Sequence, residues 1–179
     1  MIDSRPLGRS GVRLTILGCG TGTLARPERG EAAEAAAAAT LEAAWAAGVR
    51  YFDAAPLYGL GRGEGRLGVF LATRPRDAYA VSTKVGRLLT EDGFAYNYSF
   101  DGAMRSLDAS LARLGLDRVD IALVHDIDRY THGDEQPRRQ AEALDGAQGP
   151  AAPARGGCGP CRRTRRQQLG GLLRHRGAG

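Results

Sequence analysis

Short apolar runs alternate along most of this chain with longer stretches in which apolar residues return every three or four positions. Val49-Arg50-Tyr51-Phe52, Tyr79 to Thr83 and Val119 to Val124 are runs of the first kind and predict strands. Between them, Gly63 to Thr73 puts Leu67, Phe70 and Leu71 on one helical face and ends before Pro75. A further helix, opened by Ser99 or Asp101, carries Met104, Leu107, Leu111 and Leu114 at helical spacing up to Gly115. Upstream, Thr15-Ile16-Leu17 predicts a first short strand running into glycines, then a helix from Glu31 to Ala47 stopped by Gly48, a residue suited to a left-handed cap. Arg5 to Leu14 reads as two extended pieces around a glycine turn, a hairpin. Strands that alternate with helices and are apolar throughout mean crossover units and a parallel sheet covered on both faces, the α/β class.

The pattern stops near Gly146. Residues 148 to 179 hold eight glycines, seven arginines, four alanines and three prolines, with no Ile, Val, Phe, Tyr, Trp, Met, Asp, Glu or Lys. Such a segment has little to bury, so the expected organisation is one α/β unit over 1–147 and a disordered tail over 148–179. The break falls inside an expected helix, where domain boundaries are not expected. Arg/Gly/Pro/Ala is also what a GC-rich coding strand yields in a shifted frame. Translating the underlying DNA in the other frames tests this; absence of a strand–helix continuation there would refute it.

Composition narrows the function classes. The formal charge of the 179 residues is +5, but the tail carries seven arginines and no acid. The first 147 residues hold 18 basic and 20 acidic side chains, an ordinary balance for an enzyme. The arginines lack the interleaved aromatics of a nucleic-acid surface, so no nucleic-acid partner is expected. Three cysteines do not make a disulfide framework at this length, and neither a signal peptide nor a membrane span is legible, which predicts a cytoplasmic protein. Cys158-Gly159-Pro160-Cys161 has the spelling of a redox motif without the strand and helix that such chemistry needs. His125, Asp126, Asp128, His132 and Asp134 could suggest a metal site, but hard-ligand loops of this kind are usually solvated, so no metal is expected. Gly18-Cys19-Gly20-Thr21-Gly22-Thr23 lacks the third glycine of a dinucleotide fingerprint.

Lys84 is the only lysine beside 24 arginines. An amine can be tuned and used as a compact charge where a guanidinium cannot. It follows the third predicted strand, as Asp53 follows the second and His125 the fourth, with Tyr58 five residues beyond Asp53. In a parallel sheet those ends share one edge, where α/β active sites are built. Together the four make a proton-transfer site: Lys84 favours a Tyr58 phenolate, Asp53 holds the ammonium, and neutral His125 donates to a substrate oxygen.

Asp-Ala-Ala-Pro-Leu-Tyr-Gly over 53–59, Ser-Thr-Lys-Val-Gly over 82–86 and Leu-Val-His-Asp over 123–126 resemble the Asp/Tyr/Lys/His tetrad segments of the aldo-keto reductases. The segments over 63–68 and 107–114 are similar to that family too. Within it, the His125-Asp126-Ile127-Asp128 loop with Thr131-His132-Gly133 looks most like the L-fucose and D-threo-aldose 1-dehydrogenases and the pyridoxal 4-dehydrogenases. The resemblance implies the N-terminal half of a (β/α)8 barrel with a leading hairpin, ending after about the fourth strand and the start of the fourth helix. It implies an NAD(P)-dependent oxidoreductase acting on a small sugar hemiacetal or aldehyde, with NADP or NAD as cofactor. Tyr58 would then exchange the proton, Lys84 lower its pKa, Asp53 orient Lys84 and His125 position the substrate oxygen, while Gly20, Thr21 and Asp53 approach the nicotinamide end of the cofactor.

In that family most phosphate and adenine contacts follow the later strands, beyond the region of resemblance. The alternative reading is therefore a catalytically inactive, truncated fragment unable to bind cofactor. Substrate identity, NAD against NADP, and oligomeric state are not legible.

Overall fold

The chain opens with a hairpin because Gly8 and Gly11 take positive φ, letting Ser4–Pro6 (β1) pair antiparallel with Arg13–Thr15 (β2). The computed structural model describes residues 2–25 and 30–148. After the hairpin, Cys19–Gly20 (β3), Tyr51–Asp53 (β4), Ala80–Val85 (β5) and Ile121–Val124 (β8) form a parallel sheet in the order β3-β4-β5-β8. Helices Glu31–Ala46 (α1), Arg62–Leu71 (α2) and Phe100–Leu114 (α3) make the crossovers. A hairpin of Arg87–Thr90 (β6) and Gly93–Tyr96 (β7) projects from the end of β5. Beyond β8 come the short helix Arg129–His132 (α4) and Gln136–Gln148 (α5). This is the α/β architecture expected, a parallel half-barrel with a leading hairpin.

Strand alternation divides the sheet into two faces. Phe52, Val81, Thr83 and Val85 are buried in the layer that also holds Leu67, Phe70, Leu71, Leu107, Leu111 and Leu114 of α2 and α3. On the other face Tyr51, Asp53, Ser82 and Lys84 stand together, with the Tyr51 hydroxyl 3.0 Å from Ser82 Oγ. That segregation puts polar chemistry inside the curve of the sheet and apolar packing outside it.

The covering layer is pinned by an ion pair. Glu64 of α2 is fully buried; its Oε1 accepts from Thr83 at 2.5 Å and its Oε2 from Arg113 Nε of α3 at 2.7 Å. Gly68 lets α2 approach α3, since a Cβ there would stand 2.6 Å from the Leu114 carbonyl oxygen. Of the two caps considered for α3, Ser99 is the one used: its hydroxyl accepts from the Gly102 N–H, and Gly115 ends the helix in the left-handed conformation.

Two expectations need correction. Ile16 and Leu17 do not form the first sheet strand; they are 60% and 58% exposed in a bend, and the strand is the Cys19–Gly20 pair beyond them. Parallel pairing uses backbone groups alone, so a glycine can form a ladder that side-chain pattern does not announce. Asp53 and Lys84 do not follow their strands but lie within β4 and β5, because the site lies inside the sheet's curve, where each polar group finds a partner. The β6–β7 hairpin was not anticipated at all. The tail expected over 148–179 and its Cys158 and Cys161 lie outside the described residues, apart from the last residue of α5.

Candidate active site

Asp53 and Lys84 meet because parallel register aligns Asp53 with Ser82 across β4 and β5, leaving Lys84 one pleat farther along the same face. Lys84 Nζ lies 2.6 Å from Asp53 Oδ2 and donates to the Ala54 carbonyl at 3.1 Å. Ser82 Oγ donates to the other carboxylate oxygen, Oδ1, at 2.6 Å. Each Asp53 oxygen is thus held from a different direction, which fixes the carboxylate plane and, through it, the ammonium.

Burial disfavours the Lys84 ammonium, but the hydrogen bond and charge of Asp53, with a further contribution from Tyr58, outweigh it and raise the pKa above the usual lysine value. Lys84 therefore remains a cation across the neutral range. Its nitrogen lies 4.8 Å from the centroid of the Tyr58 ring, which reaches the site from the turn joining β4 to α2. That turn is tight: Gly59 has φ +61 and Leu60, a non-glycine, φ +54.

His125 closes the group. It follows β8, is buried, and stands edge-on to Tyr58 with ring centroids 5.9 Å apart. Burial lowers its pKa, the Asp126 carboxylate opposes this, and the cations Arg87 and Lys84 reinforce it. The imidazole is accordingly neutral at pH 7. Its Nδ1 is buried without a hydrogen-bond partner, and its Nε2 lies 3.5 Å from Asp126 Oδ2.

All four residues read from the sequence as one proton-transfer set therefore converge at one edge of three neighbouring strands. Gly20 and Thr21 lie at the same edge, where the Thr21 N–H donates to the Asp53 carbonyl at 2.9 Å. The Thr21 side chain is fully buried, its Oγ1 beside Gly63 and without a partner. A Cβ built on Gly20 would meet nothing within 4 Å, so the backbone there can be approached closely. Asp128 is occupied as the cap of α4, accepting from the Thr131 N–H at 2.9 Å.

Ser82, Arg87 and Tyr98 were not singled out in the sequence. Ser82 stood in the quoted Ser-Thr-Lys segment, and Asp92-Gly93 is a turn signal that marks the hairpin carrying Arg87. Tyr98 had no local signal.

A cavity of about 550 Å³ lies at the opposite end of the strands, lined in part by Arg13, Arg50, Arg76 and Asp120. Arg13, Arg50 and Arg76 there are bound to Ser4, to backbone carbonyls and to Asp120, and no member of the tetrad lines it. No helix among the described residues is long and apolar enough to cross a membrane.

The chain is similar to pyridoxal 4-dehydrogenase of Microbacterium luteolum, 41% identical over 160 residues that cover 74% of this chain and 45% of the relative. It is 45% identical over 112 residues to D-threo-aldose 1-dehydrogenase of a Pseudomonas species, covering 51% of this chain and 34% of that one. The chain thus spans about half the length, or less, of the curated relatives it matches. Among solved structures, an aldo-keto reductase of Bacillus halodurans in its holo form superposes with a TM-score of 0.63 at 25% identity, covering 80% of this chain and 48% of that one. The family model for the aldo/keto reductase family matches residues 16–149, the span that contains β3 through α5 and every member of the tetrad, and the chain belongs to that family.

Proposed function

We propose that the chain supplies the acid–base half of an NAD(P)-dependent oxidoreductase site that moves a hydride between nicotinamide and a sugar hemiacetal or aldehyde. One observation carries this reading: Asp53, Tyr58, Lys84 and His125 converge, with Lys84 held as a cation against Tyr58. The dehydrogenase names of the similar proteins support the reaction class. The residues present fit the reacting end of a nicotinamide, since Gly20 leaves its backbone approachable beside Asp53, with no described atom within 4 Å of a Cβ built there. When bound, the nicotinamide supplies or accepts the hydride.

The chain's own residues handle the proton. In the oxidative direction a hydroxyl on the reacting carbon would give its proton to Tyr58 as phenolate while its C–H hydride passes to the nicotinamide, leaving a carbonyl and a neutral Tyr58. Lys84 stabilises the negative charge that passes through the Tyr58 oxygen, and Asp53 with Ser82 keeps the ammonium aimed there. His125, neutral, donates to the substrate oxygen and fixes its distance from Tyr58.

Incubating the protein with NAD or NADP and L-fucose, D-arabinose or pyridoxal, and following nicotinamide absorbance, tests the proposal. Reduction with at least one of them is the expected outcome; no turnover with any sugar or aldehyde contradicts it. A second reading is that the chain by itself is inactive, favoured by a sheet whose described strands leave β3 and β8 with unpaired edges. The same assay separates the two.

A further inference from the structure

The β6–β7 hairpin has no part in the tetrad, yet two residues at its base grip both ends of His125. Arg87, at the start of β6, is buried and pairs with Asp126 Oδ2 at 3.0 Å; the same carboxylate oxygen lies 3.5 Å from His125 Nε2. Tyr98, just past β7, donates its hydroxyl proton to the His125 carbonyl at 2.9 Å and lies 2.9 Å from His132 Nε2.

We propose that this hairpin is the positioning element of the site: Arg87 and Asp126 set the His125 imidazole with its proton on Nε2, while Tyr98 and His132 fix the His125 backbone. The inference rests on the role given to His125 above only for its catalytic consequence.

Proton counting assigns the second couple. A carbonyl oxygen can only accept, so the single Tyr98 proton is committed to His125 O, and His132 Nε2 must carry the hydrogen that points at the Tyr98 oxygen. Burial raises the Tyr98 pKa to about 12, which keeps that donor in place through the working range. His132 is packed edge-on against Tyr96, centroids 4.6 Å apart, and Tyr98, 5.6 Å apart, so the loop from β8 to α4 is clamped onto the hairpin.

In the Arg87–Asp126 couple, charge and burial act on different ring nitrogens of His125. The field of the Asp126 carboxylate favours a hydrogen on the nearer ring nitrogen, Nε2. Nδ1 is buried and unpartnered, and a bare lone pair is tolerated there better than an orphaned N–H. At 3.5 Å the Nε2 proton is oriented by Asp126 without being committed to it, and stays available to a substrate oxygen. Asp126 reaches this place by adopting φ +45, a conformation open to Asp and Asn but costly for most residues. The other charged and titratable groups acting on His125 are Lys84, Asp53 and the edge-on Tyr58.

The test is nitrogen NMR of the full chain with its three histidines labelled. His125 is expected as the Nε2–H tautomer and His132 with a protonated Nε2. Asp126→Asn keeps the shape and tolerates the same φ while removing the charge. It is expected to give His125 mixed tautomers and a lower pKa. Tyr98→Phe keeps the ring and is expected to speed amide exchange from residue 125 to 132 at least tenfold, with the helical circular dichroism unchanged. A parent His125 protonated on Nδ1, or an Asp126→Asn spectrum identical to the parent, overturns the proposal. If the tautomer shifts as expected but no turnover is found, only the function proposed above fails. If turnover exists, Asp126→Asn should lower kcat by more than it changes KM.

Discussion

Glu64 and Arg113 form an ion pair whose two partners are unequally buried, so removing one should not cost the same as removing the other. The Glu64 side chain is 0% exposed and that of Arg113 is 25% exposed. Arg113→Met strands a carboxylate in the layer between sheet and helices with Thr83 as its remaining partner, a loss of about 3–5 kcal/mol. Glu64→Gln leaves a cation that can turn toward water and keeps an acceptor for Thr83, so its cost is that of an unsatisfied buried contact, about 1–3 kcal/mol.

Urea unfolding followed by far-ultraviolet circular dichroism measures both. With a slope of about 1–3 kcal/mol per molar, the Arg113→Met midpoint should fall by at least roughly 1 M at pH 7. An Arg113→Met loss smaller than that of Glu64→Gln would refute the reasoning.

Because Lys84 is the only lysine, intact-mass labelling with an amine acylating reagent reads it directly beside the N-terminal amine. Asp53 holds its pKa up against burial, so Asp53→Asn should speed its acylation several-fold at pH 9. Unchanged labelling would mean that the contact does not govern the amine. Ser99→Ala removes the hydroxyl that caps α3 and should cost about 1 kcal/mol in the same urea assay. Gly86→Ala forces a side chain into φ +98 and onto the Tyr98 ring, so it should destabilise the hairpin base and broaden the His125 and His132 resonances.

Much of the sheet was legible because β4, β5 and β8 fall in short apolar runs that put Phe52, Val81 and Ile121 into the core. Their parallel sense followed from the helices between them, and the tetrad followed from the residues at their ends. The rest failed for particular reasons. At Lys84 a charge looked like the end of a strand, yet the strand continues because Asp53 and the Ala54 carbonyl satisfy the ammonium inside the curve. At Ile16-Leu17 an apolar run looked like a strand, yet it only carries the chain from hairpin to sheet. The Asp126–Arg87 pair and the Tyr98–His132 contact bridge residues 34 or more apart in the chain, except where they adjoin His125, and no local pattern encodes such meetings.

The central claim is that Lys84, aimed by Asp53, makes Tyr58 the proton carrier of a nicotinamide-linked reaction. The most direct measurement is turnover by Lys84→Met beside the parent, with substrate and cofactor held saturating and circular dichroism confirming the fold. The account predicts a loss of about 100-fold or more at an unchanged helical signal. A Lys84→Met protein that turns over within a few-fold of the parent would contradict it.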